Sequence, residues 1–156
     1  MKKIVLFVIL FAGLAACNNG ADAPRLDLDV SKELKNNDEL KEFVLTARDN
    51  ANALARQCVK MHEEAQAFLD VNFDSLSTKE QEEIIKLDLD YVEMWYNFNI
   101  KHTSQTVQLM EYLKDSSIPK EEMVAMSKAM AAVNQFVQEL KEDRKSTRLN
   151  SSHVSQ

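Results

Sequence analysis

Three methionines and one histidine are the side chains best suited to chemistry in this sequence. Met123, Met126 and Met130 recur at helical spacing, so they share one face of a helix. Thioether sulfurs with an imidazole can hold Cu(I), and His102 could supply that imidazole from a neighbouring helix. Methionine is also a flexible filler of apolar cores. We therefore expect these methionines to be core residues, and an exposed hydrophobic binding surface or a Cu(I) site are the alternatives.

Few other side chains in the sequence are suited to catalysis or metal binding. Cys58 and His62 are four residues apart on one helical face and could give two metal ligands, but no third is expected at their level. In an antiparallel bundle, His62 and His102 lie about 25 Å apart along the axis, too far to share a metal. The chain has no phosphate loop, nucleophile elbow or haem-attachment motif. We predict that it is not an enzyme and holds no cofactor.

Glycine and proline usage determines the expected fold class. No glycine follows Gly20, and Pro119 is the only proline after Pro24. Tight β-hairpins depend on residues with positive φ, most often glycine, whereas helices do not need them. The partly alternating segment 87–100 could form a strand, but such a strand would be isolated and long. We therefore predict an all-α fold.

The first helix is predicted from Asn36–Asp38, which can cap it, and it carries an unbroken apolar seam. The seam follows the three- and four-residue spacing of a helix packed in coiled-coil fashion. Its expected core residues are Leu40, Val44, Ala47, Ala51, Leu54, Cys58, Met61, Ala65 and Phe68.

Two further helices follow across short connections. Ser77 and Glu80 have the spacing of a capping box for a second helix from Thr78 to about Lys114. Pro119 suits the first turn of a third helix. The expected core residues of the second helix are Trp95 and Phe98, within a broad apolar surface that also includes Ile84, Ile85, Val92, Leu109 and Leu113. Those of the third helix are Val133 and Val137.

Short connections make successive helices antiparallel neighbours. We therefore predict an up-down-up three-helix bundle over residues 36–142, or a four-helix bundle whose last helix is missing. In this register Trp95 lies level with about Asn52 of the first helix and Val137 of the third. His102 lies level with Met130.

The first 17 residues have the pattern of an export signal. Lys2 and Lys3 precede an apolar run, and Leu14-Ala15-Ala16-Cys17 resembles the lipobox of bacterial lipoproteins. The resemblance implies that residues 1–16 are removed and that Cys17 is acylated, which anchors the chain in a membrane. An ordinary secretory signal with an unrelated cysteine is the alternative. Asn18, rather than aspartate, favours the outer membrane, and residues 17–35 are expected to form a lipidated tether.

The last residues have a different character. The segment 143–153 resembles one reading frame of a common sequencing adapter, so residues 143–156 are expected to be a non-native, disordered tail. A natural disordered terminus is the alternative.

Charge limits the possible partners. Residues 18–142 contain 14 Lys and Arg against 24 Asp and Glu, a net charge of −10. Such a body repels nucleic acid and anionic headgroups. Cys58 is the only cysteine after Cys17, and it is expected either to be buried or to form an intermolecular bond.

The sequence thus predicts a helical protein-interaction or structural module of the bacterial envelope. A periplasmic chaperone-like or inhibitor protein is the alternative. In its favour, the segment 76–81 resembles the Leu-Thr-x-x-Gln motif of envelope-stress chaperones, with Ser77 inserted after Leu76.

Overall fold

The computed structural model describes residues 23–68 and 71–151, with side chains as far as residue 142. It contains three long helices, α1 (Asp38–Ala65), α2 (Thr78–Tyr112) and α3 (Lys120–Ser151). Short 3-10 turns lie at Lys32–Leu34, Gln66–Phe68 and Phe73–Ser75. The described residues include no strand, and the predicted all-α three-helix bundle is confirmed.

The predicted signals at the helix starts are present. The Asn37 side chain accepts a hydrogen bond from the Leu40 N–H at 3.3 Å and caps α1. At α2, Ser77 Oγ accepts from the Glu80 N–H, and the Glu80 carboxylate accepts from the Ser77 N–H at 2.8 Å, which confirms the capping box. Hydrogen bonds from the Ser77 hydroxyl and N–H hold the pKa of Glu80 below its ordinary value.

Helix α1 is the central element of the bundle. It packs against both α2 and α3, which contact each other much less. At one end, Asn37 Nδ2 donates to Glu122 at 2.9 Å, and the Tyr112 ring meets Phe43 edge-on at 5.4 Å. The starts of α1 and α3 therefore lie beside the end of α2, as up-down-up topology requires.

The register between the helices differs from the predicted one by about one turn between α2 and α3 and by about two turns between α1 and α2. The Lys141 ammonium lies 5.4 Å from the centre of the Trp95 ring, so Trp95 is level with Lys141 rather than Val137. Counting along both helices from the Phe43–Tyr112 contact places Trp95 level with about residue 60 of α1, rather than Asn52. The two 3-10 turns carry the chain further along the axis before α2 begins, and helix periodicity does not encode this shift.

Most of the expected core residues are buried between the helices. The buried ones are Leu40, Val44, Ala47, Ala51, Leu54, Met61, Ala65, Phe98, Val133 and Val137. Cys58, Phe68 and Trp95 are instead half-buried at the edges of the core. Phe68 lies in the 3-10 turn after α1, where the chain has already left the helical seam.

The expected tether contains a packed segment. Residues 23–34 run along the bundle, with a 3-10 turn at their end, and Leu34 is fully buried against α1 and α3. Arg25, Asp27 and Asp29 are exposed, and the alternate residues 26, 28 and 30 are half-buried against the core. This part of the predicted tether 17–35 is therefore packed on the bundle rather than extended away from it. The period-two alternation of an extended chain was the signal for it.

A buried asparagine holds this segment on the bundle. Asn52 is only 6% exposed, its Oδ1 accepts from the Leu26 N–H at 2.7 Å, and its Nδ2 donates to the Leu26 carbonyl at 3.2 Å. The amide side chain thus pairs with both polar groups of one backbone residue, as a neighbouring strand would. The segment therefore packs along α1 and α3.

The structure describes the C-terminal end of the sequence as far as residue 151 and the N-terminal end from residue 23. Helix α3 continues to Ser151. That residues 143–156 are a non-native tail stays a prediction. This stretch contains no glycine or proline to stop a helix that is already formed. The predicted signal peptide, the lipobox and Cys17 fall within residues 1–22, outside the described part of the chain. None of the described helices is long and apolar enough to cross a membrane.

Candidate interaction surface

The methionines considered for copper are divided between core and boundary. Met126 is 0% exposed and Met130 is 2% exposed, and both belong to the apolar core formed with α1. Met123 is half-buried. Their environment is one in which a thioether fills space.

His102 lies elsewhere along the axis. Counting from the Trp95–Lys141 contact puts it level with about Asn134, one turn beyond the expected position beside Met130. Its ring stacks on Phe98 at 5.4 Å with an interplanar angle of 12°. Among the described residues, no group of three or more His, Cys, Asp and Glu side chains is placed to hold a metal ion.

A row of aromatic and polar side chains follows the side of α2 nearest α3. Trp95 meets Phe98 edge-on at 6.2 Å, and His102 and Gln105 continue the row. Trp95 Nε1, His102 Nδ1 and Gln105 Nε2 are buried without a hydrogen-bond partner among the described residues. Buried polar atoms without partners reduce stability, so the α2–α3 contact contributes less than the contacts of α1.

A shallow groove of about 620 Å³ lies between the N-terminal segment and α3. Leu28, Leu34 and Ala129 form part of its apolar floor, and its rim mixes basic residues such as Lys128 with acidic ones such as Glu33. The backbone N–H of Glu33 lowers the pKa of the Glu33 carboxyl. Because both signs of charge share the rim, the groove does not select a ligand by charge.

The largest unpartnered apolar feature is the outer side of α2. We define the outer stripe as the exposed apolar residues on this side, which are 42–63% exposed: Ile85, Leu89, Val92, Tyr96, Ile100, Val107 and Met110. At 100° per residue, they fall within an arc of about 80° that runs along most of the helix. Single exposed apolar residues are ordinary, whereas these seven form a continuous exposed apolar stripe along the helix.

Helix α2 is therefore apolar on two opposite sides. Its inner residues Ile84, Tyr91, Met94 and Phe98 are buried against the bundle. The outer stripe lies about 150° around the helix from them. A helix that is apolar on more than one side is usually covered on each of them. The bundle covers only one side of α2.

The apolar character of α2 was predicted from the sequence. The division of its apolar residues between a buried and an exposed side of the helix was not. Ile85, Val92 and Leu113 were expected in one broad inner surface, yet they are exposed. Leu89, Tyr96 and Ile100 were not singled out. Two separate series with three- and four-residue spacing, offset around the helix, were the signal that could have found the outer stripe.

No protein-family model, curated protein or solved structure matches this chain. The functional proposal is therefore based on the exposed apolar side of α2.

Proposed function

We propose that this chain is a lipid-anchored protein of the bacterial envelope that acts as a helical protein-interaction or structural module. The observation that carries the proposal is the outer stripe of α2, which presents seven large apolar side chains in one line. The proposal assigns no catalytic step and no cofactor. The partner is a protein, because the acidic body repels nucleic acid and anionic lipid surfaces.

The lipobox resemblance at Cys17 supports the anchor, and Asn18 favours the outer membrane as its location. The docked N-terminal segment adds a geometric restraint. Since Leu26 is held by Asn52, only nine residues connect Cys17 to the bundle. A chain of that length spans about 30 Å at most. The domain would thus stay close to the membrane surface, where a neighbouring membrane protein can reach it.

Replacing the acylated cysteine tests the anchor. Cys17→Ser is expected to move the protein from the membrane fraction to the soluble fraction, because stable attachment requires several acyl chains on that residue. Cys58→Ser serves as the matched control and is expected to leave the protein in the membrane fraction. Retention of Cys17→Ser in washed membranes would contradict the lipobox interpretation.

The reactivity of a cysteine placed in the outer stripe tests the interaction surface. In a Cys58→Ser background, Leu89→Cys should react slowly with a maleimide in intact envelopes, because a partner covers it. Lys101→Cys is exposed on another side of α2 and should react rapidly. Equal rates at the two positions would contradict the proposal.

A chaperone-like or inhibitor protein is the second candidate, since Tyr96 and Met110 give the outer stripe an adaptable aromatic and thioether character. It predicts many captured clients in crosslinking, whereas a structural module predicts one partner. The burial of Met126 and Met130 removes these two residues from any such client surface.

A further inference from the structure

We propose that the outer stripe binds a second copy of this chain, with the two α2 helices antiparallel about a two-fold axis near residue 98. This inference rests on the proposed function and names the partner of the same surface. The evidence lies in the spacing of the stripe, the charges beside it, its area and the position of the N-terminal segment.

The stripe matches itself when its direction is reversed. About residue 98, Ile85 lies opposite Met110 of the partner subunit, and Leu89 lies opposite Val107 of the partner subunit. Tyr96 lies opposite Ile100 of the partner subunit, close to the axis. A two-fold interface requires this relation, since each contact occurs twice with the roles exchanged. Six of the seven stripe residues thus pair with one another in the antiparallel arrangement, and Val92 lies opposite Thr103 of the partner subunit.

Charges beside the stripe favour the same orientation. In the antiparallel pair, Lys86 lies level with Glu111 of the partner subunit, and Glu93 lies level with the uncharged Ser104 of the partner subunit. In a parallel pair, residues five apart meet across the seam, which would place Asp88 against Glu93 of the partner subunit. The antiparallel pair thus gains two ion pairs and avoids two repulsions.

The area is sufficient for a stable pair. Seven side chains that are about half exposed give roughly 700 Å² per copy, or about 1,400 Å² in total, within the usual range for specific protein interfaces. The aromatic residue of the stripe is Tyr96, which is 63% exposed and lies near the centre of the stripe. A central aromatic residue is a common source of binding energy.

The N-terminal segments are compatible with this pair on one membrane. Leu26 is bound to Asn52, which lies level with about residue 103 of α2 and therefore about 8 Å along the helix from the two-fold axis. Because the two-fold axis is perpendicular to α2, a residue near the middle of α2 in one copy lies close to the middle of α2 in the other copy. Both N-terminal segments thus begin at the same level of the assembly.

A pair of introduced cysteines tests the proposed register. The full acylated chain would carry Cys58→Ser together with Val92→Cys and Thr103→Cys, whose Cβ atoms face each other across the antiparallel pair. Mild oxidation in isolated membranes is expected to give a disulfide-linked dimer in high yield. Val92→Cys alone and Thr103→Cys alone are the matched controls, because each lies about 17 Å from its own copy in the partner, too far for a disulfide.

A second variant tests the same contact without cysteines. Leu89→Glu places a charge opposite Val107 of the partner subunit, and it should weaken dimerisation of the full chain in detergent at least tenfold by sedimentation. Lys101→Glu changes an exposed residue off the stripe and should leave dimerisation unchanged. Both positions are exposed, so both variants should fold, which the helical circular dichroism signal checks.

Each outcome bears on the proposal. Crosslinking of the double variant but not of the single variants supports the antiparallel dimer. Equal crosslinking of the single variants, or none of the double variant, overturns it. If Leu89→Cys is protected in envelopes while the double variant gives no dimer, another protein covers the stripe, so the proposed function stands and the dimer falls. If Leu89→Cys is unprotected, both fall.

Discussion

Met126→Ala should lower the free energy of unfolding by about 2–5 kcal/mol, the range measured when a large buried side chain is truncated. Met126 is 0% exposed, and it lies in the core that α3 forms with α1. Loss of its side chain leaves a cavity that the close-packed helices fill only in part. Urea denaturation followed by circular dichroism at 222 nm measures the change.

Met126→Leu is the matched control because it keeps the volume and removes only the sulfur. It should cost less than about 1.5 kcal/mol. A small effect of Met126→Ala would mean that this residue does not fill the core. The same leucine variant, combined with Met130→Leu, tests the copper alternative. Tight Cu(I) binding that disappears in the double leucine variant would assign the two sulfurs as ligands rather than core fillers.

Asn52→Leu should lower the free energy of unfolding by about 2 kcal/mol, because two hydrogen bonds to Leu26 are lost at about 1 kcal/mol each. It should also release the N-terminal segment from the bundle. The connection from Cys17 would then extend to Asn37, and its maximum span would rise from about 30 Å to about 70 Å. Trypsin should therefore cut after Arg25 much faster than in the unaltered protein, as measured by mass spectrometry.

Asn134→Leu makes the same chemical change at an exposed position of α3. It should leave both the unfolding free energy and the rate of cleavage at Arg25 unchanged. If Asn52→Leu gave the same cleavage rate as the unaltered protein, Asn52 would not be what holds the segment in place.

The sequence predicts the helices well because their signals are local. Ser77 and Glu80 form the capping box through hydrogen bonds within one turn, and the 3–4 seam of α1 identifies its buried face. The register depends on how the chain crosses from Ala65 to Thr78. The two 3-10 turns in that connection leave no periodic signal, and Trp95 was placed about two turns away from its observed level on α1.

The N-terminal segment and the outer stripe were missed for different physical reasons. The alternation from Arg25 to Val30 is short and borders a charged stretch, and docking depends on Asn52, which is 26 residues away. Helix α2 carries two apolar series that merge into one broad surface when they are read along the sequence. Only the packing of the bundle shows that Ile84 and Tyr91 face inwards while Leu89 and Tyr96 face outwards.

The proposed membrane anchor at Cys17 and the proposed pairing of two copies are compatible with each other. The short connection from Cys17 would hold each bundle close to the membrane, where diffusion is confined to a surface and the effective concentration of a second copy is raised. A modest interface is then sufficient for pairing.

The most direct test of this account is a cysteine scan along α2 in intact envelopes, in a Cys58→Ser background. Maleimide reaction rates would be measured one position at a time from residue 85 to residue 110. We predict slow reaction at the outer positions Leu89, Tyr96 and Val107, and rapid reaction at the exposed positions Asn97 and Lys101 on another side of the helix. Rapid reaction at every exposed position would show that the outer stripe is uncovered and would contradict its role as an interaction surface.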